Sequence, residues 1–294
     1  MEVGVIIPAA GPKASPANIV ATARLAEELG YHSVWLTDHV VLPERVDAHY
    51  PYRSHGRWDY PADTKWLDPL LSLCWAAAAC PGLRIGTSIL VVPLRNPILL
   101  AKQLSTLDFL TGGRLILGIG VGWMEEEFEI IGESYTGRGS RTEEMVELMR
   151  LYWTGRSVAF NGKSYRVPPS RMYPTPLQER IPIVWGGHSE HALRRVARVG
   201  DGWHPTQITL EQLDAGLSSL SQHCEQTGRD FGSLKIVARP GDTYDITPET
   251  HARHIELGID HLVVDTPIKE VDHDLSILRA KMEQVAEICC LRSR

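Results

Sequence analysis

Continuous apolar runs alternate with helix-period patterns along this chain, and that alternation limits the possible folds more than any other feature. Val3 to Ile7 is a β-branched run. Ser15-Pro16 then supplies a cap and a first-turn proline for a helix whose apolar face carries Ile19, Ala23, Ala26 and Leu29 and which stops at Gly30. Ser33 to Thr37 reads as a second strand, Asp68-Pro69 opens a helix, and Arg84 to Val91 reads as a third strand. Asn96-Pro97 opens a helix with Leu100, Leu104 and Leu107 on one face, closed by Gly112-Gly113. Leu115 to Ile119 is the fourth strand. Ser140-x-x-Glu143 has the form of a capping box for a helix running through Leu148 and Tyr152, and Ile181 to Trp185 is the fifth strand. Ser189 caps a helix that ends at Gly200, before a short sixth strand at Asp201 to His204. Thr209-x-x-Gln212 caps a helix with Leu213, Leu217, Leu220 and Cys224 in register. Leu234 to Ala238, Thr247-Pro248 to Leu257 and His261 to Val264 then read as strand, helix, strand, and Leu275, Leu278, Met282 and Val285 form a last apolar stripe.

Strands that are apolar throughout, rather than at every second position, are parallel strands buried on both faces. Eight of them, each followed by a helix, predict one α/β domain over residues 1–294, a (β/α)8 TIM barrel with insertions. The 294 residues suit a fold that uses about 250. An open doubly wound sheet is the alternative, because strand six is short.

Two insertions exceed the usual two to six residues of a barrel loop. Residues 39–66 follow strand two and are dense in rings and cations: Arg45, His49, Tyr50, Tyr52, Arg53, His55, Arg57, Trp58, Tyr60 and Trp66. Residues 155–180 precede strand five, and Asn161-Gly162 between Phe160 and Tyr165 predicts a hairpin with a two-residue turn. The first insertion belongs on the C-terminal face of a barrel, where active sites lie. The second enters from the opposite end.

Charge narrows the partners. With 36 acidic and 30 basic residues and no block of like charge, the chain gives nucleic acid no electrostatic reason to bind. The apolar run Val3 to Ala10 follows Glu2, lacks a basic flank and is too short for a membrane span or a signal peptide. Five cysteines without a CxxC pair predict reduced thiols and a cytoplasmic protein.

Several residues are placed for chemistry. Asp38-His39 lies just past strand two, where side chains point into the barrel mouth, and histidine exchanges protons near neutrality. His188/His191 and His251/His254 have helical spacing, but strand one ends Pro8-Ala9-Ala10 with no ligand, so no catalytic metal is expected. GIGVGW, Gly118 to Trp123, is not a dinucleotide fingerprint, because Trp123 stands where the third glycine belongs. Its glycines still let a flat ligand approach the backbone. Gly186-Gly187-His188-Ser189 joins strand five to a capped helix, an arrangement suited to a phosphate.

Taken together, LTDHV, GTSILVVPLRNPILLAKQLSTLDFLTGGRLILGIGVGWMEEEFE, RGSRTEEM and PIVWGGHSEHALRRVARVGDGWHP resemble the luciferase-like oxidoreductase superfamily, in particular its members that use the deazaflavin coenzyme F420. The likeness covers residues 3 to 205. It implies a barrel with the tricyclic ring in its mouth and a non-prolyl cis peptide at Ser88-Ile89 behind that ring. It also implies Asp38 and His39 as catalytic residues at the reactive edge, Gly120, Val121 and Gly122 along the other side, and Glu126 over the ring system. Gly186, Gly187 and His188 match the segment that holds the ribityl phosphate. Members that oxidise a sugar phosphate carry an acid directly after the GxG turn. This chain has Trp123 there, which shapes a pocket but cannot shuttle protons, and Glu125 and Glu127 are expected to face solvent.

The resemblance thus implies hydride transfer to or from a small organic substrate with F420, or monooxygenation with reduced FMN as the alternative. A flavin-binding barrel without turnover is a third reading. Tyr52, Trp58 and Trp123 are the expected substrate contacts, with the aromatic loop as a cover. Arg45, Arg53, Arg57 and Lys102 are candidates for the acidic tail of F420, and pairing into a homodimer through barrel helices is expected.

Overall fold

The computed structural model describes residues 1–52, 55–265 and 275–292. In chain order its elements are β1 (Glu2–Ile6), α1 (Pro16–Glu28), β2 (Ser33–Leu36), α2 (Pro69–Ala79), β3 (Arg84–Thr87), β4 (Leu90–Val91), α3 (Pro97–Leu110), β5 (Leu115–Gly120), α4 (Glu125–Ile131) and α5 (Arg138–Trp153). There follow β6 (Val158–Asn161), β7 (Arg166–Ser170), β8 (Ile183–Trp185), α6 (Glu190–Val199), β9 (Gly202–Trp203), α7 (Leu210–Thr227), β10 (Lys235–Ala238), α8 (Pro248–Glu256), β11 (His261–Val264) and α9 (Ser276–Ile288). Parallel pairing runs β1–β2–β3–β5–β8–β9–β10–β11 and returns from β11 to β1, so the sheet is a closed eight-stranded barrel rather than an open one. Strand six, at two residues, still pairs on both sides.

Each apolar strand serves two cores because side chains alternate across a sheet. Ile6, Trp35, Ile116, Val184, Val237 and Val263 fill the barrel interior. Val3, Val5, Val34, Leu36, Leu115, Leu117 and Ile183 join the larger core with the helices. Below the mouth a polar chain crosses the interior. Trp35 Nε1 donates to Ser33 Oγ at 2.6 Å, Ser33 Oγ lies 2.8 Å from His261 Nε2, and His261 Nδ1 lies 3.0 Å from Glu2 Oε2. The hydrogen bond from His261 takes the Glu2 carboxyl down to about 2, while burial pushes the His261 imidazole below its ordinary value. A neutral ring donating from Nδ1 and accepting at Nε2 satisfies every member of the chain.

The helix starts follow the caps in the sequence at Ser15, Asp68, Asn96, Ser189 and Thr209, whose side chains accept first-turn amides. One expected cap is not formed. α5 begins at Arg138 after Gly137 in the left-handed region, two residues before Ser140, and Glu143 turns outward to pair with Arg195 at 2.8 Å and with Arg198. The β6–β7 hairpin also differs from expectation. Asn161 pairs with Arg166, so the turn spans four residues, and the Glu144 carboxylate of α5 accepts the amides of Ser164 and Tyr165 at 2.7 to 2.9 Å. That outside support replaces the compact two-residue turn and keeps the hairpin along α5, away from the mouth. Among the described residues no helix is long and apolar enough to cross a membrane.

Candidate active site

Strand three is interrupted where a continuous run was expected. β3 and β4 are separated by Ser88 and Ile89, joined by a cis peptide bond, as the family resemblance implied. Polar contacts hold this bulge from three sides. Ser88 N donates to Leu36 O at 2.7 Å, Arg239 Nη1 donates to Ser88 O at 2.9 Å, and His204 Nε2 lies 2.8 Å from Ser88 Oγ. Arg239 is itself fixed by Asp265, whose oxygens accept from Nε at 2.9 and 3.1 Å and also from Nη2. Burial drives the His204 imidazole down to about 3, so the ring is neutral. Neither Arg239 nor His204 was singled out from the sequence. The available signal was a charged or titratable residue directly after a buried apolar strand.

The Ile89 side chain points from the bulge toward two glycine segments. A Cβ on Gly120 would lie 1.8 Å from Ile89 Cδ1, and one on Gly186 would lie 3.3 Å from it, so Ser88-Ile89, Gly120 and Gly186 converge. Val121 and Gly122 continue from Gly120, half-buried, with the Gly122 carbonyl accepting from Arg138 Nε at 3.0 Å. Gly187 has a φ of +98°, which side-chain-bearing residues rarely adopt, and its carbonyl accepts from Trp203 Nε1 at 2.9 Å. Among the described residues the amides of Gly187 and His188 have no acceptor, and they precede α6 with its Ser189 cap. His188 Nε2 accepts the Thr206 amide at 3.2 Å, and burial lowers the basicity of its ring.

The adjacent pair Asp38-His39 divides in two directions. Both Asp38 oxygens are engaged, by Arg95 at 2.7 and 2.8 Å and by the Val91 amide at 2.8 Å, so its carboxylate braces β4 beyond the bulge. His39 faces the mouth, and its Nδ1 lies 3.1 Å from Glu127 Oε2. Glu127 is 2% exposed and also accepts the Val40 amide at 2.6 Å and the Val41 amide at 3.3 Å. The expectation that Glu127 faces solvent is therefore wrong, whereas Glu125 is exposed as expected. In this acidic run at a helix start, the residue directly before Phe128 is the one whose carboxylate reaches the segment after β2. Glu126 Oε1 accepts the amides of Asp47 at 2.6 Å and Ala48 at 2.8 Å, which clamps the loop.

Residues 39–52 and 55–66 lie across the mouth as a layer of rings. Trp58 packs on His39 (4.8 Å between centroids), Tyr60 (4.8 Å), Trp123 (5.5 Å) and Trp66 (5.9 Å), and Trp66 also meets His39 edge-on at 4.8 Å. Tyr52 reaches across to His188 at 5.8 Å, and burial raises its phenol. The loop thus spans from the end of β2 to the end of β8. The Trp66 indole nitrogen is buried without a hydrogen-bond partner, an orphan donor beside His39. The candidate cations do not gather here. Arg45 pairs with exposed Asp47, Lys102 on α3 donates to the Tyr173 carbonyl, Arg57 is exposed, and Arg53 lies outside the described residues. Among the described residues no three His, Cys, Asp or Glu side chains are grouped so as to hold a metal ion.

Residues 1–281 match the family described as luciferase-like monooxygenase. The chain belongs to that family. It is an oxidoreductase by that membership, and its relatives include enzymes named for F420. An F420-dependent glucose-6-phosphate dehydrogenase of Kineococcus radiotolerans is 30% identical over 231 residues, 75% of this chain and 62% of its own length. An uncharacterised protein of Mycobacterium tuberculosis is 32% identical over 227 residues, 77% of this chain and 78% of its own. Among solved structures, an F420-dependent secondary alcohol dehydrogenase in complex with an F420-acetone adduct shares the fold. Its TM-score is 0.77 at 17% identity, covering 98% of each chain.

Proposed function

We propose that this protein is an F420-dependent oxidoreductase that passes a hydride between the deazaflavin and a small organic substrate. The observation that carries the reading is the convergence of Ser88-Ile89, Gly120 to Gly122 and Gly186 to His188 into a face of backbone around the Ile89 side chain, in a mouth where Trp123, next after Gly122, lies 6.4 Å from His39. Such a face suits a flat ring, the unpaired amides of Gly187 and His188 suit its phosphate, and the orphan Trp66 donor lacks an acceptor that a bound molecule would bring. The relative named for F420 supports the deazaflavin over FMN.

When bound, the deazaflavin supplies or accepts a hydride and does not readily activate oxygen. The chain does the rest. Ser88, Ile89, Gly120, Val121 and Gly122 would hold the ring, and Gly186, Gly187 and His188 would hold the phosphate. His39 gives or takes the accompanying proton at Nε2, while Trp58, Trp123 and Tyr52 line the substrate side and exclude water. Asp38, saturated by Arg95 and Val91, orients the backbone rather than moving protons, and Glu126 holds the covering loop. FMN-dependent monooxygenation is the second reading, favoured by the family's own description. Titration of the purified protein with F420 and with FMN separates them. Micromolar F420 binding with turnover under anaerobic conditions is expected, and FMN binding with oxygen consumption and no response to F420 would reverse the order. Binding of either without turnover of any substrate tried would favour a non-catalytic barrel.

We also propose that two copies pair through α2 and α3. α2 carries no charge over 11 residues, yet it leaves Leu71 74% and Trp75 56% exposed, and α3 adds Leu99 and Leu110 at 66%, Phe109 at 49% and Ile98 at 36%. Six large side chains at these exposures present about 600 Å², on the order of the roughly 800 Å² per partner that a specific interface buries. Lys102, the charged residue on this stripe of α3, is turned to the Tyr173 carbonyl, and the apolar side chains around it form a face that is complementary to itself across a two-fold axis. Sedimentation of Trp75→Asp as a monomer beside a dimeric wild type is expected. A monomeric wild type at micromolar concentration removes the proposal.

A further inference from the structure

We infer that Glu127 is a positioning residue that fixes which nitrogen of His39 exchanges the proton and ties that choice to the root of the covering loop. The inference rests on the reading of His39 as the proton-handling group. The geometry is a single buried carboxylate receiving three donors from one short segment: His39 Nδ1 at Oε2 (3.1 Å), and the amides of Val40 (2.6 Å) and Val41 (3.3 Å) at Oε1.

A carboxylate offers acceptors only. His39 Nδ1 must therefore carry a hydrogen, and Nε2 is the atom left to accept or release one toward the mouth. Among the described residues Nε2 has no hydrogen-bond partner, and the ring is boxed by Trp58 and Trp66 at 4.8 Å and by Trp123 at 6.4 Å, which restrain its plane. An imidazole left to itself favours the opposite tautomer, with hydrogen on Nε2, which could not accept a proton at the nitrogen that faces the mouth. The same carboxylate takes two consecutive amides where the loop leaves β2. Ring orientation and loop seating thus share one anchor, carried on α4 at its third residue. A second-tier hydrogen bond of this kind, from a functional histidine to a carboxylate, sets both tautomer and ring plane, and its loss typically costs about 10- to 100-fold.

The test uses the full chain labelled with ¹⁵N-histidine, without cofactor, about two pH units above the ordinary imidazole pKa. The His39 resonance is assigned by its absence in His39→Ala. Wild type is expected to show a protonated Nδ1 and an unprotonated Nε2, and Glu127→Ala to move His39 to the Nε2–H form. In the holoenzyme the same variant is expected to lower kcat by roughly 10- to 100-fold with the cofactor Kd within about two-fold. Glu127→Gln, which keeps one acceptor oxygen and the shape, is expected to fold where Ala fails and to recover part of the rate. A wild-type His39 protonated at Nε2, or a tautomer unchanged by Glu127→Ala or, where that variant does not fold, by Glu127→Met, which keeps the length of the side chain without its oxygens, overturns the inference. Because the spectrum needs no cofactor, it stands or falls apart from F420 dependence. Loss of F420 turnover as the reaction would leave the tautomer result intact.

Discussion

The two sides of the barrel mouth are made from different materials. On the strand-end side, Ser88-Ile89, Gly120 to Gly122 and Gly186 to His188 present backbone around the Ile89 side chain, and Arg239, braced by Asp265, and His204 hold the Ser88 bulge from behind. On the loop side, residues 39–66 present rings, and two adjacent glutamates of α4 hold that loop by its amides at positions 40–41 and 47–48. The first side is shaped by the absence of side chains and is set by the barrel itself. The second is a long insertion whose position depends on a few hydrogen bonds from one seven-residue helix. Under the proposed function, recognition of a rigid, flat group falls to the first side, and proton chemistry and substrate choice to the second.

Paired substitutions test that division, and they carry the largest expected effects. His39→Ala removes the proton carrier on the loop side and is expected to lower kcat by about 10² to 10⁴-fold with the Kd for F420 little changed. Gly120→Val alters only the strand-end side. Even a Cβ there lies 1.8 Å from Ile89 Cδ1, so the Ile89 shelf must shift, and F420 affinity is expected to fall by about 10²-fold or more. Fluorescence titration and turnover measured on both variants decide the matter. If His39→Ala weakens cofactor binding as much as Gly120→Val does, the two sides do not divide the work.

The same contrast explains which parts were legible in the sequence. The barrel was readable because strands such as Leu115 to Ile119 and His261 to Val264 are apolar at every position, a pattern that only burial on both faces produces. On the strand-end side the glycine turns and the cap before α6 are local signals, whereas the cis bond at Ser88-Ile89 was implied only by the family resemblance. Glu127 was not readable, because Glu125, Glu126 and Glu127 look alike in sequence and only the packing of α4, through Phe128 on Val91 and Leu94, sets which carboxylate reaches His39. Arg239 and His204 stayed hidden for the same reason, since their partner Ser88 lies 151 and 116 residues away. The Ser140 box and the Asn161-Gly162 turn misled because stronger tertiary contacts, from Glu143 to two arginines and from Glu144 to the hairpin amides, took the side chains that the local patterns needed.

Acid provides the mildest way to separate the two sides. His204, behind the bulge, is held near a pKa of about 3 by burial, while in the unfolded chain its ring returns to the ordinary value of about 6.5. Between those values the unfolded state binds the extra proton. The folded protein is therefore favoured fully above about pH 6.5, and the His204 contribution is lost as the pH falls through that window. The expected slope is about 1.4 kcal/mol per pH unit from this one ring, or roughly 2 kcal/mol between pH 6.5 and 5. His254 on α8, buried beside Tyr244 and lowered to about 4, adds a similar slope over a narrower range. Denaturant unfolding of wild type and His204→Gln across this range isolates the first contribution. The variant is expected to be less stable at pH 7.5, having lost the His204 bond to the bulge, but to lose less on acidification, so the two curves converge toward pH 5. Parallel curves would mean that His204 is not the neutral prop of the strand-end side, and the support of Ser88 would then rest on Arg239 and the Leu36 carbonyl.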